Sequence, residues 1–328
     1  MLKIGKFELK HGLMLGPMAG YTDSPMRRIC GEVGAEYCVS EMISAKAVCY
    51  GDKKTLPLAR IDAREVPCGL QIFGCDPSCM SEGTAILLER AACDAGAQLP
   101  AAIDINMGCP VGKIVNNGEG SALMAKPELI EEIVSSVKRA AAKFYIPVTV
   151  KIRAGWDAEH ITATSAALAA ESGGAALVCV HGRTRDQFYS GSADMSVIAR
   201  VKDALSIPVV ANGDITDHES AKRAISETGC DGIMIARAAL GDPFVFARIK
   251  SGLEGEIVRP TLPAKRAAAA IRLIRERCEL MGERNAIVSS RGQLGYFVGG
   301  FPGAAALRVK INNAQKISEI EDYFSRVR

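Results

Sequence analysis

The chain has few aromatic residues: one Trp, seven Tyr and nine Phe among 328 residues, 5%. Binding by a broad array of stacked rings is therefore not expected. Its four histidines show no HxxxH spacing, and its eleven cysteines contain no CxxC pair, Cys75 and Cys79 being four apart. A metal centre is not expected on that pattern. No run of eighteen apolar residues occurs, so no membrane span is expected. The start, Met1-Leu2-Lys3-Ile4-Gly5-Lys6-Phe7-Glu8, lacks the apolar core of a signal peptide. Unpaired thiols without an export signal point to a reducing cytoplasm. Internal repeats and low-complexity tracts are absent. What is present is ordinary for a folded chain, 48% hydrophobic and 23% charged, enough for one large α/β barrel or two medium domains.

The net charge of +3 conceals an asymmetry. Residues 255–328 carry 13 basic and 7 acidic side chains, leaving 27 and 30 in the rest. A mildly acidic body with a basic tail suggests a polyanionic partner, with a solvated helical face as the alternative.

Short β-type runs recur at a steady pitch: Leu13–Met18, Ala35–Val39, Cys68–Phe73, Ala102–Asn106, Pro147–Ile152, Ala176–Val180, Pro208–Ala211 and Asp231–Ile235. Helical patterns lie between them, at Met80–Ala95, Pro127–Lys143, Ile161–Glu171, Met195–Leu205 and His218–Glu227. Consecutive apolar positions, as in Leu177-Val178-Cys179-Val180, read as parallel strands buried on both faces. Eight such units in roughly 240 residues predict a (β/α)8 TIM barrel. Ile4–Leu9 is expected to cap its floor, and Asp242 to cap a short helix opened by Pro243. A Gly/Pro-rich linker at 252–263 then leads to an all-helical C-terminal domain. The predicted division is a barrel over 1–251 and a helical domain over 252–328.

Barrel chemistry sits at the C-terminal strand ends. Read in order, these ends present Pro17-Met18-Ala19, Ser40-Glu41-Met42, Gln71, Asn106, Lys151, His181, Asn212 and Ala236-Arg237. Five strands ending in Gln, Asn, Lys, His and Asn indicate a functional mouth, although any one alone could be a hydrogen-bonded filler. The loops Asn212-Gly213-Asp214 and Ala236-Arg237 occupy the usual phosphate position, where backbone N–H groups and a guanidinium meet an anion. A phosphate there leaves room for a planar ring beside Gln71, Lys151 and His181, as in a flavin mononucleotide (FMN) site. Lys151 could stabilise an anionic reduced ring, or simply snorkel outward from the core. In Asn106-Met107-Gly108-Cys109-Pro110, Cys109 follows a strand end in a glycine-rich loop. No histidine is adjacent, which favours a general acid over a nucleophile. An ordinary thiol near 8.5 is roughly 97% protonated at pH 7.

These residues resemble a known family. Gly16-Pro17-Met18-Ala19-Gly20-Tyr21-Thr22-Asp23-Ser24-Pro25-Met26-Arg27, Asp104-Ile105-Asn106-Met107-Gly108-Cys109-Pro110, Val150-Lys151-Ile152-Arg153-Ala154-Gly155-Trp156 and His181-Gly182-Arg183-Thr184-Arg185 are similar to motifs of tRNA-dihydrouridine synthases. So are Ala211-Asn212-Gly213-Asp214-Ile215, Arg237-Ala238-Ala239-Leu240-Gly241 and Phe301-Pro302-Gly303-Ala304-Ala305-Ala306-Leu307-Arg308, in the same order over essentially the whole chain. The likeness is greatest to the bacterial B-type branch. It implies an FMN barrel and a helical tRNA-binding domain, with NADPH or NADH as reductant. Hydride would go to C6 of a uracil and a proton from Cys109 to C5. It further implies that Pro17, Met18, Ala19, Gln71, Lys151 and His181 line the flavin, and that Asn212, Gly213, Asp214, Ala236 and Arg237 surround its phosphate. Asn106, Arg153, Arg183 and Arg185 would meet substrate, the arginines at the rim or, alternatively, in surface ion pairs. Lys265, Arg272 and Arg275 are candidate RNA contacts. A cytoplasmic monomer is expected, without metal or membrane. Departures occur at Ala236 for the usual glycine, at Gly112 for a common lysine, and at Gly292-Gln293 and Phe297. The last two are expected to bear on RNA choice. Alternatives are an FMN barrel acting on a free pyrimidine and a non-catalytic RNA-binding barrel.

Overall fold

Residues 1–327 are described by a computed structural model. A hairpin of β1 (Leu2–Ile4) and β2 (Phe7–Leu9) precedes β3 (Leu13–Leu15), α1 (Ser24–Glu32), β4 (Tyr37–Val39), β5 (Ile43–Ser44) and α2 (Ala45–Cys49). The chain continues through β6 (Cys68–Phe73), α3 (Pro77–Cys93), β7 (Ala102–Met107), α4 (Gly112–Val115), α5 (Pro127–Ala141), β8 (Val148–Arg153) and α6 (Ala163–Ser172). Then come β9 (Leu177–His181), α7 (Met195–Ala204), β10 (Val209–Asn212), α8 (His218–Thr228), β11 (Gly232–Ile235) and α9 (Val245–Leu253). Four helices follow: α10 (Pro263–Met281), α11 (Glu283–Phe297), α12 (Ala304–Asn313) and α13 (Ile317–Ser325).

Local chemistry sets many helix starts. Asp23, Asp76, Asp194 and Asp217 accept backbone N–H groups at the N-termini of α1, α3, α7 and α8. Pro25, Pro77, Pro127 and Pro263 occupy first-turn positions, where no amide hydrogen is needed. Asp242 does not cap α9 as expected; its carboxylate pairs with Arg248 at 2.8 Å instead.

All eight main strands run parallel, and β11 pairs with β3, which closes the sheet into the expected barrel. Strand two is split, a feature the sequence reading did not anticipate. Both β4 and β5 pair with β6, and Ser40–Met42 interrupts the ladder between them. Ser40 repairs the gap by accepting the Gln71 N–H at 2.9 Å. Outward side chains such as Ile103, Ile105, Val150, Ile152, Val178 and Val180 pack under the helices. Inward side chains form a second cluster of Met14, Tyr37, Val39, Ala102, Leu177, Cys179, Val210 and Met234, sealed below by Leu2, Ile4 and Leu9 of the hairpin. The plug is thus Leu2–Leu9, turned at Gly5 with φ 56°.

Because side chains alternate along a strand, the inward positions above that floor belong to Gln71, Asp104, Asn106, Thr149, Lys151, His181 and Asn212. The apolar floor supports a polar mouth.

The C-terminal helices lie against the mouth side of the first strand–helix unit. Arg277 on α10 is fully buried and grips Asp23 at 2.6 and 3.1 Å, Ser290 Oγ at 3.0 Å and Gln293 Oε1 at 2.7 Å. Arg272 pairs with Glu32 of α1, and Arg266 donates to the Gly241 carbonyl at 3.0 Å. Gly241 meets the Tyr296 carbonyl so closely that an added Cβ would overlap it. Gly241→Ala is therefore expected to lower stability by about 1–3 kcal/mol through overpacking. An unchanged denaturant midpoint would show that α11 retreats freely.

Candidate active site

Cys109 is held from both sides. Its N–H donates to Asn106 Oδ1 at 2.9 Å, and its carbonyl accepts from the Ser121 N–H at 3.1 Å and hydroxyl at 3.0 Å. Gly108 and Gly120 permit this path. A Cβ on Gly108 would press on the end of β8, and one on Gly120, at φ 59°, on Cys109 itself. The segment is not an open loop: α4 and a 3-10 turn at Gly120–Ala125 occupy it. Burial pushes the half-buried thiol up from its ordinary pKa, against the pull of the Val111 amide and Arg153. The Cys109 thiol is thus protonated at neutral pH.

Lys151 and His181 face the same mouth. The Lys151 Nζ donates to Asn212 Oδ1 at 3.0 Å, and Asn212 in turn donates to the Met234 carbonyl at 2.7 Å. Burial lowers the Lys151 pKa. The His181 ring has no hydrogen-bond partner among the described residues. Burial, reinforced by Lys151, Arg153, Arg183 and Arg237, drives its pKa far down and keeps it neutral.

Gly213 takes φ 122°, and a Cβ there would strike Ala193 and the His181 ring. Among the described residues, the N–H groups of Gly213 and Asp214 donate to no protein acceptor. Arg237 is half exposed, 3.3 Å from Asp214 Oδ1 and 4.9 Å over the Tyr189 ring. Ala236 adopts φ −123°, outside the left-handed region that favours glycine. Free amides beside a cation suit an anionic phosphate. Pro17, Met18 and Ala19 leave β3 as a loop in which Met18 N–H donates to Thr22 Oγ1 at 2.9 Å.

The arginines do not all reach a rim. Arg183 is buried, donating to Asp214 at 2.8 Å and to the Ser190 and Gly191 carbonyls at 3.0 and 2.6 Å. Arg153 is buried as well, bound to the carbonyls of Gly108, Thr184 and Phe188, each at 2.9 Å. Burial lowers its pKa to about 10, which leaves it charged. Both hold loops, and their expected rim position is corrected. Arg185 lies on the rim, stacked 4.7 Å from the Trp156 ring centre.

Two further expectations change. Arg272 and Arg275 are engaged by acids, Arg272 by Glu32 and Glu276 and Arg275 by Glu321, so neither is a free contact for RNA. Gln293 and Phe297 are fully buried between the helices and the barrel, not on the outer face. Lys265, Arg284, Arg308 and Lys310 are exposed without an acidic partner among the described residues.

Asp104 faces the same mouth. It lies two positions before Asn106 on the same inward face, a period-2 signal available in the sequence. Tyr189 carried no comparable signal, because a long loop brings it between Arg153 and Arg237.

Known proteins resemble this chain in sequence and in fold. A family model described as dihydrouridine synthase matches residues 14–326. The tRNA-dihydrouridine synthase B of Xanthomonas axonopodis pv. citri is 38% identical over 98% of this chain and 96% of that protein. That of Pseudomonas aeruginosa is 37% identical over 96% of this chain and 92% of that protein. Among solved structures, histamine dehydrogenase from Rhizobium sp. 4-9 superposes with a TM-score of 0.59 at 15% identity, over 87% of this chain and 50% of that one. An old yellow enzyme homologue from Zymomonas mobilis gives 0.52 at 11%, over 79% and 92%. These two likenesses concern the fold. No helix among the described residues is long and apolar enough to cross a membrane.

Proposed function

We infer that this chain, which belongs to the dihydrouridine synthase family, reduces uridines in tRNA to 5,6-dihydrouridine. The observation that carries the reading is the juxtaposition, on one barrel mouth, of a pinned protonated thiol, a buried ammonium and a glycine loop with free amides. These groups fit FMN: Gly213, Asp214, Ala236 and Arg237 would hold its phosphate, and Gln71, Lys151 and His181 would border its ring, with Pro17, Met18 and Ala19 alongside. Held there and reduced by NADPH or NADH, FMN would supply hydride chemistry for C6 of the uracil.

The chain's own residues do the rest. The Cys109 Sγ–H donates its proton to C5, completing addition of two hydrogens across the C5–C6 bond. Arg153 holds Gly108, and Asn106 holds Cys109, so the donor keeps its place. Neutral His181 can donate or accept one hydrogen bond without adding charge. Asn106 and Arg185 are proposed to meet substrate. The helical segment 252–328 serves as the RNA-binding domain, with Lys265, Arg284, Arg308 and Lys310 contacting phosphates. The target base must leave its stack to enter the mouth. The enzyme acts as a cytoplasmic monomer.

The test supplies FMN, NADPH and tRNA lacking dihydrouridine, followed by nucleoside mass spectrometry. A uridine heavier by two hydrogens is the expected product. Its absence, with flavin bound and reducible, would overturn the tRNA assignment and favour a free pyrimidine. Lys151→Met is expected to weaken flavin retention and slow turnover, since it removes the buried cation from the mouth.

A further inference from the structure

Four buried polar side chains on three neighbouring strands form one continuous chain beneath the mouth. Thr149 Oγ1 donates to Asp104 Oδ1 at 2.6 Å, and Gln71 Nε2 donates to Asp104 Oδ2 at 2.7 Å. Gln71 Oε1 accepts from Asn106 Nδ2 at 2.9 Å, and Asn106 Oδ1 accepts the N–H groups of Gly108 at 3.2 Å and Cys109 at 2.9 Å. Each amide has one donating and one accepting end, so the orientation of the first dictates that of the next. A carboxylate at the head only accepts. It forces Gln71 to present its nitrogen downward and its oxygen to Asn106, which leaves the Asn106 oxygen facing the Cys109 amide.

We propose that Asp104 is a positioning residue that sets the direction of this chain and thereby holds Cys109 for proton donation. The proposal rests on the reading of the mouth as a uridine-reducing site. Asp104 itself sits too deep to touch a base. Burial pushes the pKa of its carboxyl up, while its two donors and the nearby positive charge of Lys151 on β8 pull it back toward the ionised form. An apolar residue would fill the same space at lower desolvation cost but would leave the Gln71 amide free to turn over, setting its nitrogen against the Asn106 nitrogen and loosening the residue that holds the Cys109 amide.

The test uses Asp104→Leu, which removes the acceptor, and Asp104→Asn, which keeps one acceptor for Gln71 while donating to the Thr149 hydroxyl. Alkylation of Cys109 by iodoacetamide in the flavin-free full-length protein is followed by peptide mass spectrometry. Cys179 and Cys230, both buried, report general loosening. In D104L, Cys109 is expected to react about tenfold faster and kcat on tRNA to fall about 30–100-fold, as a misplaced group costs, with KM within about twofold. D104N is expected to stay within about threefold of the parent in both, since the chain keeps its direction.

Unchanged Cys109 reactivity in D104L would overturn the proposal. So would equal acceleration at Cys179 and Cys230, or a D104N protein as impaired as D104L. If D104L does not fold, Gln71→Leu decides by the same alkylation readout, because it cuts the chain while Thr149 still donates to Asp104 Oδ1. A parent protein that makes no dihydrouridine, yet shows the alkylation pattern, would overturn the functional reading and leave the positioning role standing.

Discussion

Cys109→Ala is expected to cut dihydrouridine formation by about 10²–10⁴-fold, the usual worth of a positioned general acid, while flavin binding persists. The side chain lies outside the hydrophobic core, and its main-chain anchors on Asn106 and Ser121 remain. Absorbance of bound flavin and nucleoside mass spectrometry separate the two effects. Undiminished product would remove the thiol from the reaction. The pH dependence follows from the direction of the shift. Only the protonated thiol donates, and burial holds its pKa above that of an ordinary thiol. The rate is therefore expected to stay level through neutral pH and to decline only as pH rises beyond the usual thiol range. A decline between pH 6 and 8 in the Cys109 step would contradict a buried, protonated donor.

Arg277→Ala is expected to have the largest effect on stability, a loss of about 3–5 kcal/mol, because removing one partner of a buried pair leaves the other uncompensated. Asp23, Ser290 Oγ, Gln293 Oε1 and the Tyr21 carbonyl all lose a charged donor at once. Arg277→Lys should rescue only part of this, since an ammonium cannot reproduce a guanidinium fork. Denaturant unfolding measures the loss. Because Asp23 ends the loop that begins at Pro17, weaker flavin binding should accompany it. Stability within 0.5 kcal/mol of the parent, the range of ordinary surface changes, would show that α10 is held by its apolar face alone.

The barrel was legible because its signals are local. Strand periodicity, aspartate caps and first-turn prolines each depend on a few adjacent residues, and seven of the eight strands need only shifts at their ends. Strand two was not legible in full: its interruption at Ser40–Met42 is repaired by a side-chain bond to Gln71, thirty-one residues away. Arg183 and Arg153 illustrate the same limit within the mouth. Their sequence context suits a rim, but the carbonyls that bury them come from a loop whose course no local rule specifies.

The same division holds for the helical segment. Its excess of positive charge is a property of composition, readable at once. Which charges face solvent is a property of packing, and Arg266, Arg272 and Arg277 turn out to face the barrel. Sequence alone determined the barrel of eight strand–helix units, the polar residues that end its strands and the presence of a thiol in a glycine-rich turn, because alternation along a strand and glycine at a turn are short-range constraints. Tertiary structure alone decided which polar groups are satisfied within the protein and which are left for a ligand. Hydrogen-bond partners and desolvation come from elements far apart in the chain, and only folding brings them within 3 Å of one another.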